Sequence, residues 1–301
     1  MLLLCICNSV PTLTQYSCFS SSLTSKSPNY YSHYYYYNSK LTFKHKPHQT
    51  NTLTSFTCFS PMAAFNPSDG NVTQKGSGSV DPDCTQIIVV RHGETDWNAI
   101  GKMQGQLDVE LNEVGRQQAV AVAERLSKEA NISAIYSSDL KRALETAEMI
   151  AAKCGGLEVI TDKDLRERHL GDLQGRLYHE LARVTPKAHA SFKSSRTDEE
   201  IPGGGESRDQ LYQRCTSCLK RIGEAHRGQR VVVVSHGGAI RTLHNRAATK
   251  GQSPGKILNT SVSVLELSEG DLWSIKSWND ASHLKQTDFL ESAFGGDSSS
   301  G

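Results

Sequence analysis

The sequence predicts an α/β protein, a three-layer α/β/α sandwich with a mostly parallel central sheet and a small lid insertion. Three observations carry that expectation. Short β-branched runs at residues 87–90 and 231–234 have the composition of strands buried on both faces. Segments with apolar residues at helical spacing lie between the strand-like runs, and such alternation places helices on both sides of a parallel sheet. Residues 161–206 break the rhythm with polar loop sequence, which reads as a lid or side subdomain.

The elements follow in order. The domain begins near Gln86 with the first strand. Gly115, Ala119, Val122, Ala123 and Leu126 recur at helical spacing, and residues 134–137 form a short strand. Ser138 and Asp139 are expected to cap the next helix, whose face is Leu140, Leu144, Ala147 and Ile150 and which stops at Gly155-Gly156. Residues 157–160 are another strand. In the lid, short helical pieces surround residues 177–184 before the loop Ile201-Pro202-Gly203-Gly204-Gly205. Ser207 with Gln210 reads as a capping box ahead of an amphipathic helix carrying Leu211, Cys215, Cys218, Leu219 and Ile222. Residues 230–235 form the most strand-like run, ending at His236-Gly237-Gly238 before a helix with Ile240 and Leu243. Residues 261–267 and 272–278 alternate apolar and polar side chains, as a terminal hairpin should.

Composition bounds the rest. The chain has 301 residues, is 37% apolar and carries a net charge of +1, so no basic excess argues for nucleic acid and no segment reads as a membrane span. Oligomeric state is not legible. Residues 1–68 contain no Asp or Glu, and their cations are Lys26, Lys40, Lys44 and Lys46. Residues 1–61 therefore read as a plastid transit peptide, with cytosolic expression from Met62 as the alternative. Residues 62–85 read as a flexible linker, 86–296 as the folded domain and 297–301 as a tail. Four of the eight cysteines fall in that leader, and no disulfide framework is implied. Cys215 and Cys218 have metal-like spacing but sit on an apolar helix face with no second pair, so core packing is the better reading.

The junction Arg91-His92-Gly93 concentrates the chemistry, because catalytic groups of α/β proteins sit where strands emerge at their carboxyl ends. Arg91 offers a planar fork of donors suited to phosphoryl oxygens, and His92 can attack phosphorus as a neutral imidazole. Gly93 is expected to leave the approach open. His236 ends another strand in the same way. Neighbouring strands would set the two imidazoles side by side, with the following helix aiming its backbone N–H groups at bound phosphate.

Arg91-His92-Gly93-Glu94, Asn98, the segment from Ser138 to Ala143 with Thr146-Ala147, Leu165-Arg166-Glu167-Arg168-His169-Leu170-Gly171, Gly205-Glu206-Ser207 and Ser235-His236-Gly237-Gly238 together resemble the histidine phosphatase superfamily. The resemblance spans residues 86–296. It implies that His92 is phosphorylated while Arg91, Arg142 and His236 surround the transferring group and Glu167 is the proton donor. Asn98, Gln104, Gly105 and Gly237 join Arg91, Arg142 and Glu167 as implied substrate contacts. No metal or cofactor is called for, and the partner is a small phosphorylated metabolite. The alternative for Glu167 is a simple ion pair with Arg166 or Arg168. Family mutases carry a longer lid with adjacent arginines, which this chain lacks, so a metal-independent phosphatase is expected, with a cofactor-dependent phosphoglycerate mutase and a silent phospho-ligand binding module as alternatives. Arg168, His169, Arg176, Arg183, Lys187, Lys193 and Arg196 are either contacts for a substrate carboxylate or solvated lid charges.

Overall fold

The structure, a computed structural model, describes residues 80–129, 131–249 and 251–285. The leader at 1–61, the linker up to residue 79, the last residues assigned to the domain and the tail lie outside the described residues. Strand β1 (Cys84–Arg91) starts inside the expected linker. Its first turn is tied to the fold: Thr85 is buried and its hydroxyl is within 2.6 Å of the Gly223 carbonyl.

The chain continues through α1 (Asp96–Ala99), α2 (Glu113–Leu126), β2 (Ile132–Ser137), α3 (Lys141–Lys153) and the short strand β3 (Val159–Thr161). After the lid come α6 (Arg208–Ala225), β4 (Arg230–Ser235), α7 (Gly237–Ala247), β5 (Val262–Ser268) and β6 (Leu272–Asp280). The six strands form one sheet in the order β3-β2-β4-β1-β5-β6. The first four are mutually parallel, and β5 and β6 add an antiparallel edge.

The pleat explains the layers. Val231 and Val233 pack with Leu211, Leu219 and Ile240 of α6 and α7, whereas Val232 and Val234 pack with Val122, Ala147 and Ile150 of α2 and α3. Every side chain of residues 231–234 is buried on one face or the other, as a continuous Val run requires. The connections leaving β1 and β4 run to opposite faces, and this opens a crevice at their carboxyl ends.

Three local expectations change. The first residue before α3 is Leu140, not Ser138 or Asp139; Ser138 Oγ accepts from the Leu140 N–H, and Asp139 is drawn away to Arg166. Asp108 accepts the Lys141 N–H instead, so a carboxylate from a distant loop caps this helix. Leu144 is only half-buried, and Arg142, Ala143 and Thr146 share the buried face with Ala147 and Ile150. The strand expected at 157–160 forms two residues later, where it pairs with β2.

The lid contains α4 (Leu181–Val184) and α5 (Pro186–Lys193) around a small core of Met103, Leu170, Leu173, Leu181, Ala188 and Ile201. Its glycine loop folds back on residues 169–172, with the Asp172 N–H on the Pro202 carbonyl and the Glu206 N–H on the His169 carbonyl. At Gly171, φ is +52° and a Cβ would lie 2.1 Å from the Pro202 oxygen, so glycine is required there. Cys215 and Cys218 face the core, where burial pushes the Cys215 thiol up to about 12 and raises that of Cys218 as well.

Candidate active site

Parallel pairing of β1 with β4 sets Arg91 opposite Ser235, so the next residue on each strand is a histidine. The His92 and His236 rings lie 5.1 Å apart between centroids, tilted by 55°. His92 Nδ1 is 2.7 Å from the Gly93 carbonyl. A carbonyl can only accept, so Nδ1 carries the proton and Nε2 keeps its lone pair. Burial, then the charges of Arg142 and Arg91, hold the His92 pKa well below the usual imidazole value, which keeps this ring neutral.

His92 lines a pocket of about 350 Å³, open mouth included, together with Arg91, Asn98, Gln104, Gly105, Arg142 and Glu167. Seven of the nine sequence-predicted residues therefore share one wall. His236 is fully buried and packs against His92 with its ring tilted; among the described residues neither of its ring nitrogens has a hydrogen-bond partner. Burial and then Arg142 lower its pKa too. Gly237 occupies the first turn of α7 beside it and is off the pocket wall.

Arg142, Arg91 and Asn98 are fixed from behind. Arg142 donates to the carbonyls of Gly105 and Leu107, at 2.7 and 2.9 Å, and burial pulls its pKa down to about 10, still charged at neutral pH. Gly105 can present its carbonyl because its φ is +55°. Arg91 donates to the Ile257 carbonyl at 2.8 Å. Thr95 and Asn98 form a capping box in which Asn98 Oδ1 accepts the Thr95 N–H. That assigns the amide: Oδ1 is engaged, and Nδ2 is the donor left for the pocket. Gln104 is buried, with Oε1 unpartnered among the described residues.

Glu167 is held by backbone alone. One oxygen accepts the Arg168 N–H at 2.8 Å and the other the Gly238 N–H at 2.9 Å. Arg166 instead forms a paired contact with Asp139, and the Arg168 guanidinium donates to the Glu206 carbonyl. Among the described residues neither guanidinium forms a direct ion pair with Glu167, which removes the ion-pair reading. The N-terminus of α7 was expected to face phosphate, yet its Gly238 N–H serves this carboxylate.

Gly93 also has a different reason. A Cβ there would meet the Gly115 carbonyl oxygen at 2.4 Å, and one on Gly115 would meet the Glu94 oxygen at 2.0 Å. The two glycines let α2 pack onto the strand end; they do not clear a path for the ligand.

Sequence reasoning missed several participants. Trp97, Lys102 and Leu170 complete the pocket wall. Arg214 on α6 donates to the carbonyls of Asp164, Arg166 and Glu167 while pairing with the Glu206 carboxylate at 2.7 Å, and so fixes the turn that carries Glu167. The connection before β5 braces the other side: the Asn259 amide donates to the His92 carbonyl, and the Thr260 N–H to that of Arg91. A positive φ of 53° at Thr260 marks that connection, but sequence gives no sign of it. None of the seven lid cations lines the pocket. Lys193 reaches the Tyr178 hydroxyl, Arg196 pairs with Asp198 and Arg183 with Glu180.

The chain is 62% identical over 223 residues to phosphoglycerate mutase-like protein 4 of Arabidopsis thaliana, covering 74% of this chain and 97% of that one. It is 52% identical over 218 residues to the metal-independent phosphoserine phosphatase of the same plant, covering 72% and 91%. Among solved structures, a phosphoserine phosphatase from Entamoeba histolytica in complex with 3-phosphoglyceric acid matches with a TM-score of 0.58 at 30% identity, covering 66% and 99%. Residues 87–281 match the family described as the histidine phosphatase superfamily (branch 1), and the chain belongs to that family.

Proposed function

We infer that the protein is a metal-independent phosphatase that hydrolyses a small phosphorylated metabolite through phosphohistidine on His92. The observation that carries this is the neutral His92, its Nδ1 proton committed to Gly93, on a pocket wall shared with Arg91, Arg142 and Glu167. Phosphoryl transfer is mostly positioning and stabilisation of charge on the equatorial oxygens, and the two buried guanidinium groups supply that charge.

In the first step His92 Nε2 attacks phosphorus, the P–O ester bond breaks, and the Glu167 carboxyl group gives its proton to the departing alkoxide. In the second, the Glu167 carboxylate takes a proton from water, whose oxygen attacks phosphorus as the P–N bond breaks, releasing inorganic phosphate and a neutral His92. Asn98 Nδ2 and His236 contribute hydrogen bonds to the phosphoryl oxygens. A relative named for phosphoserine and a solved relative holding 3-phosphoglyceric acid support a small phosphorylated acid as the metabolite.

The decisive experiment is a rapid quench of the full chain with a phosphate ester. Acid-labile phosphate on His92, lost together with activity in His92→Ala, is the expected result; normal turnover by His92→Ala would overturn the mechanism.

The acid-free composition of residues 1–61 supports a separate proposal of plastid import. A reporter fused to these residues should enter plastids, and one beginning at Met62 should stay in the cytosol.

A further inference from the structure

The pocket holds three cations, and the transferring phosphoryl group accounts for two. Arg91 and Arg142 are buried, and their planar forks suit its equatorial oxygens. The third, Lys102, is half-buried on the same wall. Its ammonium lies 4.1 Å from the centroid of the Trp97 ring and, among the described residues, pairs with no carboxylate. A ring face positions a cation while leaving its full charge available to another partner.

The backbone beneath Lys102 is fixed. Its N–H donates to the Trp97 carbonyl at 2.8 Å, and it forms an antiparallel bridge with Leu177 of the lid. The Met103 N–H and carbonyl bond the backbones of Arg176 and Gly175 on either side. Lys102 shares the pocket wall with Arg91, His92 and Arg142, so a small molecule held there by its phosphoryl group meets a third charge.

We propose that Lys102, held over Trp97, is the subsite for a substrate carboxylate, and that the protein selects phosphate monoesters bearing a carboxylate at the end remote from phosphorus. This rests on the phosphatase reading above. A single point charge matches a monoanionic carboxylate; a second phosphate would call for more donors than one ammonium supplies. The lid cations, all off the wall, are then not the selectors.

The test is steady-state kinetics of the full chain on phosphoserine and phosphoethanolamine, which differ by the carboxylate alone, with Lys102→Met, Lys102→Gln and Lys102→Arg beside the wild type. The ratio of kcat/KM for the acid to that for the amine should fall by about tenfold or more in Lys102→Met, with Lys102→Arg keeping most of it. Lys102→Gln provides the uncharged comparison if the Met variant does not fold. Equal losses on both esters would overturn the subsite and leave the phosphatase reading intact. A wild-type protein inactive on these esters and on nitrophenyl phosphate would overturn both.

Discussion

The carboxylate of Glu167 accepts the backbone N–H of Gly238, 71 residues further along the chain, at 2.9 Å. Since Gly238 lies in the first turn of the helix that follows His236, one helix start fixes both a histidine of the charged cluster and the carboxyl group. A backbone donor holds Glu167 in place without taking its place in proton transfer, as a guanidinium partner would.

Glu167→Gln should keep one of the two backbone contacts through its amide oxygen and lose the other, where the amide NH2 faces an N–H, so the fold should survive. Esters with alkoxide-like leaving groups should slow by about 10²- to 10⁴-fold, the usual range for general acid catalysis, whereas formation of phosphohistidine from nitrophenyl phosphate should slow far less. Quench experiments should show phosphohistidine accumulating from the activated ester, because water activation is lost as well. Small, equal losses on both esters would refute the assignment.

Arg214 does not line the pocket, yet it ties three carbonyls and Glu206 around the Glu167 turn. Removing one partner of a largely buried pair typically costs about 3 kcal/mol, so Arg214→Met should lower the denaturant midpoint clearly. A positioning role further requires kcat to fall more for poor leaving groups than for nitrophenyl phosphate. Arg214→Lys keeps the charge without the fork and should recover stability before it recovers that discrimination.

Stability should depend on pH through the buried histidines. His92 and His236 are held well below the ordinary value of 6.5, and burial followed by Arg125 lowers His283 to about 4. Well above pH 6.5 these rings are neutral whether the chain is folded or not. As pH falls below 6.5 the unfolded chain takes up protons that the folded chain refuses, so stability drops by up to about 1.4 kcal/mol per pH unit for each ring. Urea midpoints between pH 7.5 and 5 should show this decline, and His236→Asn should flatten it. An unchanged slope in that variant would show that His236 is not a buried neutral ring.

Exhaustive chelation should leave the rate nearly unchanged, because Arg91 and Arg142 supply the charge stabilisation that a divalent cation supplies in other phosphoryl-transfer sites. Vanadate, which mimics five-coordinate phosphorus, should inhibit at low concentration. Loss of activity on chelation, restored by a single added metal, would contradict this.

The sequence by itself determined the layered α/β architecture, because a Val run at 231–234 must be buried on both faces and the flanking apolar residues repeat at helical spacing. It also determined the candidate chemistry: a strand-end Arg-His pair and a second strand-end histidine are local patterns. Pairing of β1 with β4, which brings the rings to 5.1 Å, belongs to the strand order, and strand order is a long-range property. The same holds for the partners of Glu167: the sequence sets Arg166 and Arg168 beside it, but tertiary packing turns one to Asp139 and the other to the Glu206 carbonyl. Gly93 illustrates the limit, since its neighbour Gly115 is remote in sequence and visible only once α2 is packed. Lys102 is the functional counterpart. In sequence it is one cation in a polar stretch, and only the lid pairing with Leu177 and the ring of Trp97 fix its place on the pocket wall.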